Sequence, residues 1–156
     1  MTDIALYSPL IPQNTGNIIR LCANTGAALH LIHPLGFTWD DRRLKRSGLD
    51  YHEFARVQHH DNWHAFAAAM QERRIFALTT RGTQSLYATT FRENDILLFG
   101  NESSGLPDPI HHELGDRRLR LPMQQGSRSL NLANTVAIAL YETLRQQLPD
   151  TATLEL

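Results

Sequence analysis

Cysteine is nearly absent: Cys22 stands alone in 156 residues, so no internal disulfide staples the chain, and a reducing compartment suits it. Lysine is as scarce, with Lys45 beside fourteen arginines, and these 15 cations face 16 carboxylates for a net charge of −1. That balance excludes a protein that holds nucleic acid by bulk charge, so any such contact must be local. Arginine suits bidentate phosphate contact, although a GC-rich genome produces the same bias. Long apolar runs are missing too. Nothing approaches the roughly 18 residues of a membrane span, and the opening residues Met1 to Tyr7 lack a basic start. The expectation is a soluble, cytoplasmic protein with no membrane partner.

Several cofactor signatures are absent as well. No strand leads into Gly-x-Gly-x-x-Gly, which disfavours a nicotinamide or flavin dinucleotide. The run Gly100-Asn101-Glu102-Ser103-Ser104-Gly105 has the glycine spacing of a phosphate loop. It continues Leu106-Pro107 where Lys-Ser/Thr would meet phosphate and magnesium. His52, His59, His60 and His64 invite a metal reading, with His60 and His64 at helical spacing. No Glu follows His60 and no cysteine pair assists, so they read as surface residues and no metal is expected. The nucleophile elbow of Ser-His-Asp hydrolases is missing.

What is present is 42% hydrophobic content, enough for one well-buried core and a single domain over residues 1–156. Short apolar runs recur at Ile4–Tyr7, Leu29–Ile32, Ile75–Leu78, Ile96–Phe99 and Leu119–Leu121, separated by helical segments. In the first helix Ile18, Leu21 and Cys22 share a face, Asn14 or Thr15 is placed to cap the start, and Gly26 to close the end. In the last, Ala133, Val136, Ala137, Leu140, Tyr141, Leu144 and Leu148 keep a 3.6-residue stripe. The alternation predicts an α/β fold, a mostly parallel sheet with helices on both faces.

Three polar patches interrupt this periodicity: Pro12 to Arg20, Phe99 to Pro107, and Pro122 to Asn134. They place amides, hydroxyls, one carboxylate and one guanidinium beside glycines that let a ligand approach the backbone, as in a site at the carboxyl ends of parallel strands. Glu102 has no use in a plain turn. Asn17 and Arg20 share a helical face, where Arg20 reads either as a solvated cation or as a ribose or phosphate contact. Ser129 and Asn131 are placed to cap the last helix, but Asn134 makes the amides more numerous than a cap needs. Arg42, Arg43, Lys45 and Arg46 follow Trp39, so they read as an exposed face or as a backbone contact to RNA.

Taken in order, Asn14 to Arg20, Phe99 to Pro107 and Leu121 to Asn134 resemble the three motifs of the SPOUT-class RNA methyltransferases. With Trp39-Asp40-Asp41 and the run Gly48 to Phe54, nearly the whole chain resembles the small stand-alone members that 2′-O-methylate the wobble nucleotide of leucine tRNAs. The resemblance implies a trefoil knot near the carboxyl end, S-adenosylmethionine as cofactor, a homodimer, and a tRNA anticodon stem-loop as partner. It implies a cofactor pocket of Leu78, Thr79, Gly100, Leu121, Met123, Ser129 and Leu130. It implies a ribose-facing, catalytic set of Asn14, Arg20, Glu102, Ser129 and Asn131, with Tyr141 close by to contact RNA beside the Arg42 to Arg46 cluster. Close relatives often carry a basic residue where this chain has Ser104.

The chemistry implied is alignment of a 2′-hydroxyl against a sulfonium, itself a good leaving group, so no metal is required. A guanidinium with a pKa above roughly 12 is a poor base. Arg20 therefore suits holding the hydroxyl or a phosphate and stabilising the developing oxyanion, with Glu102 expected to orient it. Two other readings remain at this point: a non-catalytic RNA-binding module and a nucleotide-dependent oxidoreductase.

Overall fold

Five apolar runs with neighbours long enough to cross back over them dictate a sheet buried on both sides, and the computed structural model has that form. It describes residues 1–40, 51–54 and 56–148. The strands are β1 (Asp3–Tyr7), β2 (Leu29–Ile32), β3 (Val57–His60), β4 (Ile75–Leu78), β5 (Gln84–Ser85), β6 (Ile96–Phe99) and β7 (Arg118–Arg120). The α-helices among the described residues are α1 (Pro12–Thr25), α2 (Trp63–Ala69), α3 (Asp108–Leu114) and α4 (Leu132–Gln147). The strand order is β3-β2-β1-β6-β4-β7-β5, and every neighbouring pair is parallel.

Side-chain alternation splits the core in two. Ile4, Leu6, Leu29, Leu31, Leu97 and Phe99 point to one face, where Ile18, Ile19 and Cys22 of α1 and Val136, Ala139 and Leu140 of α4 cover them. Ala5, Ile32, Ala77, Ile96 and Leu98 point to the other, under Trp63 and Phe66 of α2 and Ile110 and Leu114 of α3. Both faces are therefore apolar, which is why the strands read as continuous hydrophobic runs rather than alternating ones. No helix among the described residues is long and apolar enough to cross a membrane.

Local chemistry sets the helix ends differently from expectation in one case. Gly26 closes α1 in the left-handed region, φ +77°, as its position suggested. The start of α1 is Ile11, with Pro12 at the first helical position, so neither Asn14 nor Thr15 is a cap. Both lie inside the first turn, which frees the Asn14 amide for other partners. Asn131 does cap α4, its Oδ1 accepting from the Asn134 N–H at 3.2 Å. Strand β3 had no sequence expectation, and helices α2 and α3 were expected only as helical segments between apolar runs, without bounds.

The histidines need a correction. His60 ends β3 while His64 lies on α2, so the two do not share a helix face. His60 is half-buried, its Nε2 3.0 Å from Nδ1 of fully buried His30, and both rings pack on Phe66. His59 lies on the opposite face, 2.8 Å from His33, and is exposed as expected, as is His64.

The amino-terminal edge of the sheet is held by carboxylates. Asp3 accepts from the Ala28 N–H at 2.8 Å and from Arg73 at 2.7 Å. Asp95, buried, takes both prongs of Arg74 at 2.8 and 2.6 Å and the Arg92 N–H at 2.7 Å. Burial raises the Asp3 pKa, but His30, the Ala28 N–H and Arg73 outweigh it and bring the pKa from 3.8 to about 2. A depressed carboxylate stabilises the fold above its unfolded pKa and loses that contribution as pH falls through the folded value. The urea-unfolding stability of Asp3→Asn is therefore expected to lie below wild type by a constant amount above about pH 4, the gap narrowing toward pH 2. A gap unchanged down to pH 2 would remove Asp3 from the acid-sensitive groups.

Candidate functional site

In a parallel sheet all the strands end on one edge, so the loops that follow them meet there. The segments after β1, β4, β6 and β7 enclose a cleft of about 610 Å³ at the carboxyl edge. Its walls include Leu78 to Arg81, Phe99 to Leu106, Leu121 and Met123, Arg128 to Leu132, and Ile11 and Asn14 from the start of α1.

The glycine-rich loop after β6 is shaped by its own backbone. Asn101 and Gly105 exchange N–H to carbonyl bonds at 3.2 and 3.1 Å. The Asn101 side chain accepts from the Ser103 and Ser104 N–H groups at 3.0 and 2.7 Å. Gly105 supplies the left-handed residue, φ +68°. At Gly100 a Cβ would lie 2.2 Å from the Gly105 carbonyl carbon, so no side chain fits at the mouth of β6.

Glu102 leaves this loop and reaches the amino end of α1. Its Oε2 accepts from the Leu10 N–H at 2.8 Å and its Oε1 from the Ile11 N–H at 3.1 Å. A carboxylate there supplies what Ile11, an apolar residue at the cap position, does not. The same Oε1 takes the Asn14 amide at 3.2 Å, and the Asn14 Oδ1 takes the Asn131 amide at 3.1 Å. Residues 88 and 117 positions apart thus form one chain, Glu102 to Asn14 to Asn131, along the cleft wall. Asn131 contributes twice, as cap and as link.

Every residue of the expected cofactor pocket, Leu78, Thr79, Gly100, Leu121, Met123, Ser129 and Leu130, lines this one cleft. So do Asn14, Glu102, Ser129 and Asn131 of the ribose-facing set. Arg20 does not line it. Half exposed on α1, Arg20 donates from Nε to Glu53 Oε1 at 3.1 Å. The expected pairing of Glu102 with Arg20 is corrected: the partners of Glu102 are Leu10, Ile11 and Asn14, because its side chain closes the helix start instead. Tyr141 stands on α4 away from the cleft walls and is 54% exposed. Arg42, Arg43, Lys45 and Arg46 lie outside the described residues.

Cleft residues without a role from sequence include Arg81, Arg120, Arg128 and His111. Arg128 stood inside the third polar patch. Arg81 follows the run Ile75–Leu78 by three residues, and Arg120 lies within the run Leu119–Leu121 as the last residue of β7, so both stand at the carboxyl edge. His111 is one turn into α3 and gave no signal. Arg81 pairs with Asp108 at 2.5 Å, which draws the exposed Asp108 carboxyl below its usual range.

Residues 1–141 match the SpoU rRNA Methylase family. A tRNA (cytidine(34)-2′-O)-methyltransferase of Methylovorus glucosotrophus is 55% identical over 94% of this chain and 96% of its own, and one of Escherichia coli is 52% identical over 94% of each. Among solved structures, a Bacillus anthracis RNA methyltransferase superposes with a TM-score of 0.90 at 44% identity over the whole of both chains. A protein studied for 2′-OH methylation of C/U34 on tRNA gives 0.87 at 47% identity over 94% and 96%. A Sinorhizobium meliloti rRNA methyltransferase solved with AdoMet bound gives 0.81 at 26% identity, over 95% of this chain and 57% of its own. With matched residues reaching from β1 into α4 and the three polar patches gathered at one cleft, the chain belongs to the SpoU rRNA methylase family.

Proposed function

We propose that this chain transfers the methyl group of S-adenosylmethionine to the ribose 2′-hydroxyl of the wobble nucleotide of leucine tRNAs. The observation that carries the reading is the single cleft on which all seven residues expected to hold the cofactor converge, joined by the Glu102–Asn14–Asn131 chain. Names of the relatives support position 34 and the 2′-oxygen. The cleft suits the cofactor in size, at about 610 Å³, within the range of small-molecule sites. Gly100 lets the Gly105 backbone close against the end of β6, which shapes the cleft wall there. When bound, the cofactor supplies a methyl group on a sulfonium, so alignment of the 2′-oxygen is the main demand on the protein.

The residues divide that work. Leu78, Thr79, Gly100, Leu121, Met123 and Leu130 hold the cofactor. Glu102 is a positioning residue: its carboxylate fixes the Asn14 amide and the start of α1, and through Asn14 it reaches Asn131. Asn14, Asn131 and Ser129 offer amides and a hydroxyl to the ribose. Arg20 lies six residues beyond Asn14 on α1, roughly 9 Å along the axis, a span an RNA laid across the mouth covers. Its guanidinium holds the hydroxyl or an adjacent phosphate and stabilises the developing oxyanion. Arg42, Arg43, Lys45, Arg46 and Tyr141 serve the anticodon stem-loop as backbone contacts.

The carboxyl-terminal part is read as the trefoil knot of this class. Support comes from β7 lying between β4 and β5, and from Gly82, where a Cβ would meet the Leu119 carbonyl at 2.4 Å. The end of α4 is tied to the segment before β6 through Gln146 to Thr89 and Phe91 and Gln147 to Arg92. The active form is read as a homodimer. Leu10, Ile11, Leu130, Ile138 and Tyr141, at the start of α1 and on and before α4, are large side chains left exposed.

Two experiments test these readings. Arg20→Ala is expected to bind S-adenosylmethionine like wild type by calorimetry while its single-turnover methylation of tRNA drops by at least about a hundredfold. Gly100→Val is expected to lose cofactor binding, since its side chain would enter the Gly105 backbone. Loss of binding in Arg20→Ala with a retained rate at saturation would reverse the division of labour. For assembly, sedimentation at micromolar concentration is expected to return twice the mass of the 17.7 kDa chain. A mass equal to one chain would refute the homodimer.

A further inference from the structure

Three buried side-chain polar atoms among the described residues lack a hydrogen-bond partner: Thr15 Oγ1, His30 Nε2 and His111 Nδ1. Of these residues only His111 lines the cleft. It is 1% exposed, on the helix that begins directly after the glycine-rich loop, and its main chain is committed to α3. A buried polar nitrogen left without a partner is destabilising, and in a wall of a ligand cleft the missing partner is most simply the ligand.

We propose that His111 binds the cofactor, its Nδ1 accepting a hydrogen bond from a donor group of S-adenosylmethionine. The inference rests on reading the cleft as the cofactor pocket and adds a side chain that the three motifs do not contain. The groups around the ring argue for acceptance. Burial, then Arg81 from the loop after β4 and Arg118 on β7, lower the His111 pKa, while Asp108 and the Leu106 carbonyl oppose them. The ring is thus neutral at pH 7, with one N–H and one lone pair. A guanidinium N–H could donate to that lone pair, but both arginines are turned to other acceptors, Arg81 to Asp108 and Arg118 to the Gly115 carbonyl at 2.7 Å. The cofactor offers donors in its adenine amine, ribose hydroxyls and ammonium, and its sulfonium cation makes a neutral ring preferable to a protonated one.

The test is calorimetry of S-adenosylmethionine binding between about pH 5 and 7, below the range where the cofactor's own amine titrates. Wild type, His111→Leu and His111→Asn are compared. Wild type is expected to bind about tenfold tighter than His111→Leu at pH 7 and to lose that advantage toward pH 5. His111→Asn is expected to recover part of the affinity without the pH dependence. The leucine variant subtracts the remaining histidines, His112 included. Equal affinity of wild type and His111→Leu at every pH overturns the proposal while the cofactor reading stands. Failure of wild type to bind at any pH overturns both. Should His111→Leu not fold, wild-type nitrogen NMR decides. The His111 Nδ1 resonance is expected to move on saturation with cofactor, and an unmoved resonance refutes the contact.

Discussion

Parallel pairing throughout the sheet is the constraint from which the other features follow. Each return to the same edge needs a crossover, and the crossovers cover both faces, so β1, β2, β4 and β6 are mainly apolar, with Asp3 and the buried His30 as the exceptions in β1 and β2. The same directionality sends every strand's end to one side. Function gathers there, while the opposite edge carries the stabilising pairs Asp3–Arg73 and Asp95–Arg74. Those carboxylates sit where strands begin, tying β1 and β6 to the turn that precedes β4, and leave the carboxyl edge free of that work.

At the carboxyl edge the loops are mutually dependent. Glu102 satisfies two N–H groups at the start of α1 that no local side chain serves, and it does so from a loop whose curvature depends on Gly105 and on the Asn101 turn. Asn14, released from capping, bridges to Asn131, which caps α4. A shift in any one loop therefore moves the others. The carboxylate that invited a chemical role proves to be the joint between the first and second polar patches, and the ion pair of Arg20 is made with Glu53 instead.

Much of the site was legible because its residue types conflict with plain folding. Amides and a carboxylate beside glycines are poor material for strand ends, and all three patches that show this conflict arrive at the cleft. Partners were not legible. Local spacing can bring Asn17 near Arg20, but nothing local tells that Glu102 turns to Leu10 and Ile11. Strand β3, with the pattern Val57-Gln58-His59-His60, lies at the sheet edge with Gln58 and His59 exposed and His60 half-buried, so its periodicity resembles neither a buried strand nor a helix. His111 was invisible for a related reason: a histidine on a short helix acquires meaning only from what buries it.

By itself the sequence determined the fold class, four of the strands almost to the residue, the closing of α1 at Gly26 and the three segments that carry the site. Those features follow from side-chain periodicity and backbone preference, which act over a few residues. The tertiary structure alone decided the strand order, the pairing of Glu102 with the start of α1, the separation of Arg20 from the cleft and the unpartnered Nδ1 of His111. Each of these depends on contacts between distant segments, and such contacts are set by which faces bury together, a property of the packed sheet and not of any local stretch of chain.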